Sequence, residues 1–286
     1  MPTELDQRFD ETLAAVTGPG GRLVIGKDDK GRAIVENLPP TLADLFRTFS
    51  SLNADAEAVV AGDERLKFGD LDRISERVAH GLVSRGLSKG DRVGIAMRNC
   101  PSWIVAYMAT IKAGGIATLL NGWWEELEME QAIRLTEPKL IIADVPRAKR
   151  IAAKCSDLDL ISVAVELPVE QALAELLGSR EMALPEIGPD DDATILFTSG
   201  STGESKGALS THRAVTTAVY AYATGLIVLL GILTKEGRAP AAQSRTLLSV
   251  PLFHVTGEVP VMINSFVIGR CMVIIAFFAF CSLPRL

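Results

Sequence analysis

One short segment of the chain carries the residue types that bind phosphate groups. It reads Thr198-Ser199-Gly200-Ser201-Thr202-Gly203-Glu204-Ser205-Lys206-Gly207. Its glycines can take positive φ and let the backbone approach a ligand, and its hydroxyls and backbone N–H groups can donate to phosphate oxygens. Lys206 adds a mobile positive charge. We therefore predict a nucleotide-phosphate-binding loop formed by Thr198, Ser199, Gly200, Ser201, Thr202, Gly203, Lys206 and Gly207.

The predicted loop differs from the Walker A motif. G-x-x-x-x-G-K-[ST] requires Gly before its lysine and Ser or Thr after it. In this chain Ser205 precedes Lys206 and Gly207 follows it. This difference disfavours a P-loop kinase or ATPase. A flexible Gly/Ser linker is also disfavoured, because the loop directly follows the apolar residues 193–197.

The elements around the loop indicate how it is positioned. Residues 193–197 predict a buried strand, and the chain from Val215 onward predicts a helix. We therefore expect the loop to join a strand to a helix, where α/β folds bind ligands.

Strands and helices are predicted to alternate along the preceding part of the chain. Predicted strands lie at 92–97, 116–120, 140–143 and 160–165, and predicted helices at 70–87, 103–113, 125–136, 147–154 and 169–177. This alternation is typical of parallel βαβ units, and continuously apolar strands suit a sheet covered on both faces. The sequence thus predicts an α/β fold.

The first part of the chain shows less pattern. Residues 1–40 are rich in glycine and charge and have little periodicity, so we predict a partly ordered N-terminal extension. Thr41 is the predicted N-cap of the next helix. Residues 58–60 and 66–68 predict a short hairpin.

Residues 195–207 resemble the phosphate-loop signature of the adenylate-forming (AMP-binding) superfamily. That family includes acyl-CoA synthetases, adenylation domains of peptide synthetases and beetle luciferases. Its pattern is Tyr/Phe-Thr-Ser-Gly-Ser/Thr-Thr-Gly-x-Pro-Lys-Gly, with a histidine about five residues later. Phe197 and His212 match, whereas Ser205 stands where the family has proline. We expect His212 to help hold the segment, and both His212 and His80 to be non-catalytic.

A second segment, Val-Pro-Leu-Phe-His-Val-Thr-Gly at 250–257, resembles the family's Pro-Leu-Phe-His-x-x-Gly. From the residues alone, a lone histidine in an apolar run is more often a packing residue. The resemblance implies that His254 lies beside the acyl or aryl pocket and the nucleotide. We therefore predict His254 as the candidate catalytic residue, with a pocket and gating role rather than general-base work.

The resemblance covers about residues 41–273 and implies a fold. It implies the stacked βαβ sheets of the adenylate-forming N-terminal domain, with residues 41–286 as one truncated domain. Residues about 75–225 would form the first sheet subdomain, and 41–74 plus 226–286 a partial second one. We expect the domain to be incomplete and to lack the C-terminal domain, because the family's Tyr/Phe-Gly-x-Thr-Glu and Thr-Gly-Asp segments and catalytic lysine do not occur.

The resemblance also implies a reaction. In the family, ATP and a carboxylic acid give an acyl-adenylate and pyrophosphate, and a thiol such as coenzyme A then takes the acyl group. The loop would hold the phosphates, and Thr202 is the predicted Mg²⁺ ligand. The predicted partners are ATP, a fatty or aryl carboxylic acid and coenzyme A. We expect an acyl-CoA ligase-like chain with little turnover alone.

Composition narrows the remaining alternatives. A net charge of −6 without a Lys/Arg run disfavours nucleic-acid binding. Four cysteines without a C-x-x-C pair, and no secretory signal, predict a cytoplasmic protein. Residues 214–234 carry no charge and are long enough for a membrane span, although Thr, Tyr and Gly dilute them. A non-catalytic nucleotide-binding or membrane-associated interaction module therefore stays open. For Trp123 and Trp124 we expect two aromatics that cap a core edge.

Overall fold

A computed structural model describes residues 2–199 and 205–275. Its amino-terminal part contains the following elements, in chain order: α1 (Glu4–Thr17), β1 (Ile25–Lys27), β2 (Ala33–Val35), α2 (Leu42–Leu52), β3 (Glu57–Ala61), β4 (Glu64–Lys67) and α3 (Phe68–Ser84). The α2 N-cap is Thr41, as predicted, and its hydroxyl accepts the Asp44 N–H at 3.1 Å. The predicted hairpin is confirmed as β3 and β4.

The remaining elements continue the alternation. They are β5 (Arg92–Ala96), α4 (Pro101–Lys112), β6 (Ile116–Leu119), α5 (Glu126–Thr136), β7 (Leu140–Asp144), α6 (Val145–Lys154), β8 (Asp159–Val163), α7 (Val169–Ala172), a 3₁₀ turn (Ala174–Leu176), β9 (Asp192–Ser199), β10 (Ser205–Thr211), α8 (His212–Lys235), β11 (Arg245–Leu247), a π-helix (Gly257–Ile263), α9 (Asn264–Val267) and β12 (Cys271–Ile274). The helix predicted at 169–177 is thus shorter and ends in a 3₁₀ turn.

Six strands form the larger sheet, in the order β10-β9-β6-β5-β7-β8. β5 to β9 run parallel, whereas β10, the outermost strand, is antiparallel to β9. In a parallel sheet every strand ends at the same edge, so the segments that follow β5, β6, β7 and β9 meet there.

Four strands form the smaller sheet, in the order β11-β12-β3-β4. β11, β12 and β3 are parallel, and β3 and β4 form the antiparallel hairpin. This sheet combines residues 57–67 with residues 245–274, and the larger sheet uses residues 92–211. A third, two-stranded sheet pairs β1 with β2. The α/β architecture is confirmed, while the division into subdomains stays a prediction.

Helix α4 forms the centre of the core. All twelve of its residues are buried, as its nearly continuous apolar sequence predicts. Trp103 and Tyr107 of α4 belong to one hydrophobic cluster with Val93 of the larger sheet and Val59 and Met272 of the smaller sheet. The two sheets therefore share one core, and burial of this helix fixes their separation.

Residues 1–40, predicted as a partly ordered extension, contain helix α1 and strands β1 and β2, for which no element was predicted. Helix α1 begins with a capping box in which the Thr3 hydroxyl accepts the Asp6 N–H and the Asp6 carboxylate accepts the Thr3 N–H. It lies against α8, where Arg8 pairs with Glu236. The helix escaped detection because its polar sequence buries one residue, Thr12, and therefore shows no apolar stripe.

The expectation that the predicted phosphate-binding loop joins a strand directly to a helix is also wrong. Residues 205–211 form β10, which pairs antiparallel with β9 from Ser205↔Ser199 onward, and α8 begins only at His212. The sequence Ser-Lys-Gly-Ala-Leu-Ser-Thr of β10 has no clear alternation, so its strand depends on β9, whose backbone groups it pairs. The loop therefore connects two antiparallel strands, β9 and β10, and is called the hairpin loop below.

Helix α8 is the membrane-span candidate of the sequence. Its 24 residues are long and apolar enough to cross a bilayer by length and composition alone, and 39% of its apolar window is buried inside the protein. Leu229 and Leu230 are each 48% exposed. The helix packs against α1 and the core on one side and presents apolar side chains on the other.

Two helical glycines test the packing of this fold. A Cβ at Gly81 in α3 would lie 1.8 Å from the Leu176 carbonyl oxygen, whereas a Cβ at Gly225 in α8 would meet nothing within 4 Å. We expect Gly81→Ala to lower the free energy of unfolding by about 2 kcal/mol or more, because backbone must move. The control Gly225→Ala should raise it by up to about 1 kcal/mol through helix propensity. Urea unfolding measures both, and equal effects would contradict the described packing around α3.

Candidate functional site

The hairpin of β9 and β10 brings the two flanks of the predicted loop together. Lys206 lies opposite Thr198 in the ladder, and Gly207 lies opposite Phe197. Gly200, Ser201, Thr202 and Gly203, including the predicted Mg²⁺ ligand, lie outside the described residues, as does the side chain of Ser199. Their contacts with phosphate stay predictions, and the described part places Thr198, Lys206 and Gly207 side by side.

Gly207 has a packing role in the described hairpin, while its contact with phosphate stays a prediction. The described positive-φ glycines do not include Gly207, so it needs no left-handed backbone. A Cβ at this position would lie 3.1 Å from Ile195 Cγ2 and 4.0 Å from Thr136 Cγ2. Gly207 therefore allows β10 to lie close to the Ile195 side chain of β9. Lys206 beside it is exposed, so its ammonium group is accessible to a ligand.

A buried aspartate organises the same edge of the larger sheet. Asp144 ends β7, caps α6 and is 1% exposed. Its carboxylate accepts the Arg98 N–H at 2.9 Å and the Arg147 guanidinium at 2.6 Å. These bonds fix the chain just after β5 and orient Arg147 along the edge. Sequence reasoning missed this group, although an Asp between an apolar strand and a following Pro146 is an N-cap signal.

Asn99, three residues after β5, ties the histidine-bearing segment to this edge. Its side-chain amide donates to the Val250 carbonyl at 2.8 Å, and its oxygen accepts the Leu252 N–H at 2.9 Å. The two bonds join residues more than 150 positions apart, and the sequence offered no signal for them. Through Asn99, the segment 250–257 reaches the same sheet edge as the hairpin loop.

A cavity of about 140 Å³ lies between the two sheets at this edge. Apolar walls come from Trp123, Phe253 and Leu248, and Arg98 and Arg147 supply positive charge. Trp123 and Phe253 meet edge to face, with 5.3 Å between ring centroids. The arrangement suits a ligand with both an apolar and an anionic part.

The two tryptophans therefore differ. Trp124 is buried and packs edge to face on Phe197 at 5.0 Å, so it caps a core edge as expected. Trp123 is 65% exposed and does not cap the core. Its ring contacts Phe253, which lies between β11 and the π-helix. This contact was not predicted from the sequence.

His254 lies on the turn between β11 and the π-helix. Its side chain is exposed, and its Nδ1 accepts the Thr256 N–H at 3.3 Å. A Cβ at Gly257 would lie 2.1 Å from the Pro251 carbonyl oxygen, so this tight turn requires glycine. The predicted pocket and gating role of His254 stays a prediction, and the turn holds its imidazole open to a ligand.

His212 anchors the start of α8. It is 1% exposed, and its Nδ1 accepts the Leu42 backbone N–H at 3.1 Å. The backbone N–H of His212 donates to the Asp191 carbonyl at 3.0 Å. Burial lowers its pKa to about 4, against smaller opposing effects of Asp191 and Asp44. His212 is therefore neutral and structural. His80 likewise accepts a backbone N–H, from Met182 at 3.1 Å.

Glu258 is a site residue that sequence reasoning missed. It is fully buried, and the Tyr107 hydroxyl donates to its Oε1 at 2.7 Å. Burial raises the pKa of this carboxyl to about 7, although its hydrogen bond with Tyr107 lowers it. The available signal was a single charge in an otherwise apolar segment, which indicates either an exposed position or a buried group with a partner.

The Asn99 tie can be tested by removing it. We expect Asn99→Ala to lower the free energy of unfolding by about 2 kcal/mol and to expose the Leu252 amide to hydrogen exchange, because two backbone groups lose their partner. Asn121→Ala is the matched control, since Asn121 makes a local bond to the Trp123 N–H. Unchanged protection of the Leu252 amide in Asn99→Ala would show that the tie does not hold this segment.

His212 predicts a pH dependence. Its pKa of about 4 in the folded chain lies below the usual histidine value of 6.5, so between these values the unfolded chain binds a proton that the folded chain does not. Its contribution to stability is complete above pH 6.5 and is lost as pH falls toward 4, by up to about 3 kcal/mol. In His212→Gln, which can still accept the Leu42 N–H, this part of the pH dependence should disappear. Urea unfolding between these pH values measures it, and identical profiles for the two proteins would contradict a buried neutral imidazole.

Comparison with known proteins identifies relatives of this sequence. The sequence profile described as AMP-binding enzyme matches residues 46–284. The chain is 34% identical over 175 residues to FR901469 synthetase of Dothideomycetidae sp. (strain 11243), covering 61% of this chain and 1% of that protein. It is 30% identical over 169 residues to 4-coumarate–CoA ligase of Vanilla planifolia, covering 56% and 30%. The chain thus spans less than a third of the length of either relative.

Solved structures agree on the fold. The inhibitor-bound N-terminal domain of FACL13 from Mycobacterium tuberculosis superposes with a TM-score of 0.67 at 24% identity, covering 82% of this chain and 56% of that one. The N-terminal subdomain of NpsA from Klebsiella oxytoca, in complex with 3-hydroxybenzoyl-AMSN, gives 0.65 at 19%, covering 86% and 54%. These likenesses establish the α/β fold of adenylate-forming N-terminal domains. With the family profile matched over residues 46–284, the chain belongs to the AMP-binding enzyme family.

Proposed function

We propose that the protein takes part in ATP-dependent activation of a carboxylic acid through an acyl-adenylate. The observation that carries the proposal is the meeting of two segments at one sheet edge. The hairpin loop follows β9, and Asn99, just after the parallel strand β5, holds the segment with His254. The strand that leads into the proposed phosphate-binding loop therefore ends at the sheet edge where the cavity with apolar and cationic walls lies.

The loop would act on the phosphates. When a carboxylate oxygen attacks the α-phosphorus of ATP, a new O–P bond forms, the bond from the α-phosphorus to the α,β-bridging oxygen breaks, and pyrophosphate leaves with that electron pair. Catalysis of such a transfer is mainly positioning and charge stabilisation. Lys206 and the hydroxyls and N–H groups of 198–203 would stabilise the negative charge of the departing pyrophosphate.

Mg²⁺ is the metal that the family implies. Within 2–199 and 205–275, no group of three or more His, Cys, Asp or Glu side chains could hold a metal ion. Mg²⁺ in phosphoryl-transfer sites is often carried by the phosphates themselves and keeps several waters. We propose that it arrives with ATP, neutralises phosphate charge there, and contacts the chain at the Thr202 hydroxyl.

The acid and the acceptor are finer parts of the proposal. The cavity between the sheets, with Trp123 and Phe253, would take a fatty or aryl acid, and His254 would border it. Coenzyme A is the proposed acceptor, because one relative is a CoA ligase. We propose little complete turnover by these 286 residues alone, since the sequence contains no Tyr/Phe-Gly-x-Thr-Glu segment. A cytoplasmic location agrees with free thiols at Cys100, Cys155 and Cys271.

A second candidate function rests on the exposed apolar side of α8. Leu229 and Leu230 could contact a membrane surface or a partner, and the protein would then be a non-catalytic nucleotide-binding or membrane-associated module. The first proposal is favoured because α8 also packs against α1 and the core.

ATP binding to the chain and to Lys206→Ala tests the proposed function. We expect Lys206→Ala to weaken ATP binding about tenfold, as loss of one charge-assisted contact does. Lys154→Ala is the matched control, because exposed Lys154 ends α6 and lies away from the carboxyl edge of the sheet. Isothermal titration calorimetry measures affinity, and ATP–pyrophosphate exchange with a panel of carboxylic acids measures turnover.

Each outcome of these assays has a distinct meaning. Equal ATP affinity in Lys206→Ala and wild type would contradict the role of the loop. Strong exchange activity would contradict the expectation of little turnover. Tight binding to liposomes without measurable ATP affinity would favour the membrane-associated module.

A further inference from the structure

A carboxyl group lies beneath the turn that carries His254. The backbone N–H of Glu258 donates to the His254 carbonyl at 3.0 Å, so this bond links the His254 turn to the second residue of the π-helix. His254 is exposed, while the Glu258 side chain points into the core and is fully buried. There the Tyr107 hydroxyl of α4 donates to its Oε1 at 2.7 Å. One turn thus connects a surface histidine to a core carboxyl.

The surroundings of this carboxyl favour its neutral form. Tyr107 is the titratable group that faces it, and burial together with Glu258 keeps the Tyr107 pKa well above its usual range. The Thr194 hydroxyl of β9 faces it too and favours the charged form, yet neither Thr194 Oγ1 nor Glu258 Oε2 has a partner at hydrogen-bond distance among the described residues. No charged side chain in the described part of the chain acts on this group. A buried carboxylate with one hydrogen bond and no counter-ion is costly, so the group holds its proton.

The backbone at this turn depends on side-chain ties. Residues Gly257–Ile263 form a π-helix that contains Pro260, which has no N–H to donate to the helical ladder. Asn99 holds the chain at Val250 and Leu252, before His254, and Tyr107 holds it at Glu258, after His254. One tie comes from the loop after β5 and the other from α4, and His254 lies between them along the chain.

We propose that Glu258 is a positioning residue: held by Tyr107 as a neutral acid, it fixes the turn on which His254 lies and releases that turn when it ionises. The proposal rests on the proposed function only in giving His254 a role beside the acid-binding pocket. The tie itself is a property of the folded chain without any ligand.

The sign of the pH effect follows from the two states of the chain. Burial raises the pKa of Glu258 from 4.5 to about 7, so between these values the folded chain holds a proton that the unfolded chain has lost. The stabilisation is complete below pH 4.5 and is lost as pH rises through 7. Above pH 7 the ionised carboxyl must either remain buried or leave the core, and both weaken the turn.

Amide hydrogen exchange at Glu258 tests the proposal, since this N–H closes the turn on His254. We expect its protection factor, corrected for the intrinsic rate at each pH, to fall by about tenfold or more between about pH 6 and about pH 8.5 in the wild type. Glu258→Gln keeps the size and the acceptor but cannot ionise, so its protection factor should not change with pH. Glu258→Ala should be poorly protected at every pH, and Tyr107→Phe should be less protected than the wild type at pH 6, because the carboxyl loses its hydrogen bond. The Ile142 amide of β7 is the internal control.

Two results would overturn the proposal. One is the same pH dependence of the Glu258 protection factor in wild type and Glu258→Gln. The other is full protection in Glu258→Ala. The Gln variant preserves volume, so the first comparison holds even where the Ala variant fails to fold. Because exchange is measured without nucleotide, a chain that does not bind ATP would contradict the proposed function and leave this result readable.

Discussion

The parallel direction of β5, β6, β7 and β9 is the constraint on which the candidate site depends. The carboxyl ends of parallel strands lie at one edge of the sheet, so the residues that follow these strands lie close together. Asn99 follows β5, Trp123 follows β6, Asp144 ends β7 and the hairpin loop follows β9. A reversal of any one of these strands would carry its group to the opposite side of the sheet.

A second constraint is the shared core between the two sheets. Helix α4 is buried along its whole length, and it contacts elements of both layers. The same helix supplies Tyr107, so the packing that holds the sheets together also provides the donor for Glu258. Lys112 at its end is fully buried and pairs with Asp72 at 2.6 Å and Glu76 at 3.0 Å. The position of α4 is therefore fixed by apolar packing along its length and by ion pairs at one end.

The two buried titratable groups respond to pH in opposite directions. Neutral His212 stabilises the fold toward higher pH, and neutral Glu258 stabilises it toward lower pH. Between about pH 4.5 and about pH 6.5 their slopes oppose each other, so a pH profile of the wild type alone would conceal both. Substitution of one group at a time separates them. His212 joins α2 to α8, and Glu258 joins the His254 turn to α4, so each tie lies between layers rather than within one.

How much the sequence could predict depends on how local the signal is. The apolar strands and helices from Thr41 to about Leu177 follow from periodicity and are confirmed within a few residues. β10 could not be found because its pairing with β9, and not its own pattern, makes it a strand. Gly207 matches a phosphate-loop pattern, yet its described role is close packing against Ile195, which no motif encodes. Asn99 and Tyr107 act on residues about 150 positions away, and only the fold brings them together.

The central claim is that the hairpin loop at the carboxyl edge of the larger sheet binds the phosphates of ATP. Chemical-shift perturbation by a non-hydrolysable ATP analogue, followed residue by residue, tests it most directly. If the loop binds these phosphates, the largest changes fall in residues 198–207 and in the turn at 252–258. Changes confined to the opposite edge, around Gly90 and Lys139, or to the exposed side of α8, would contradict it.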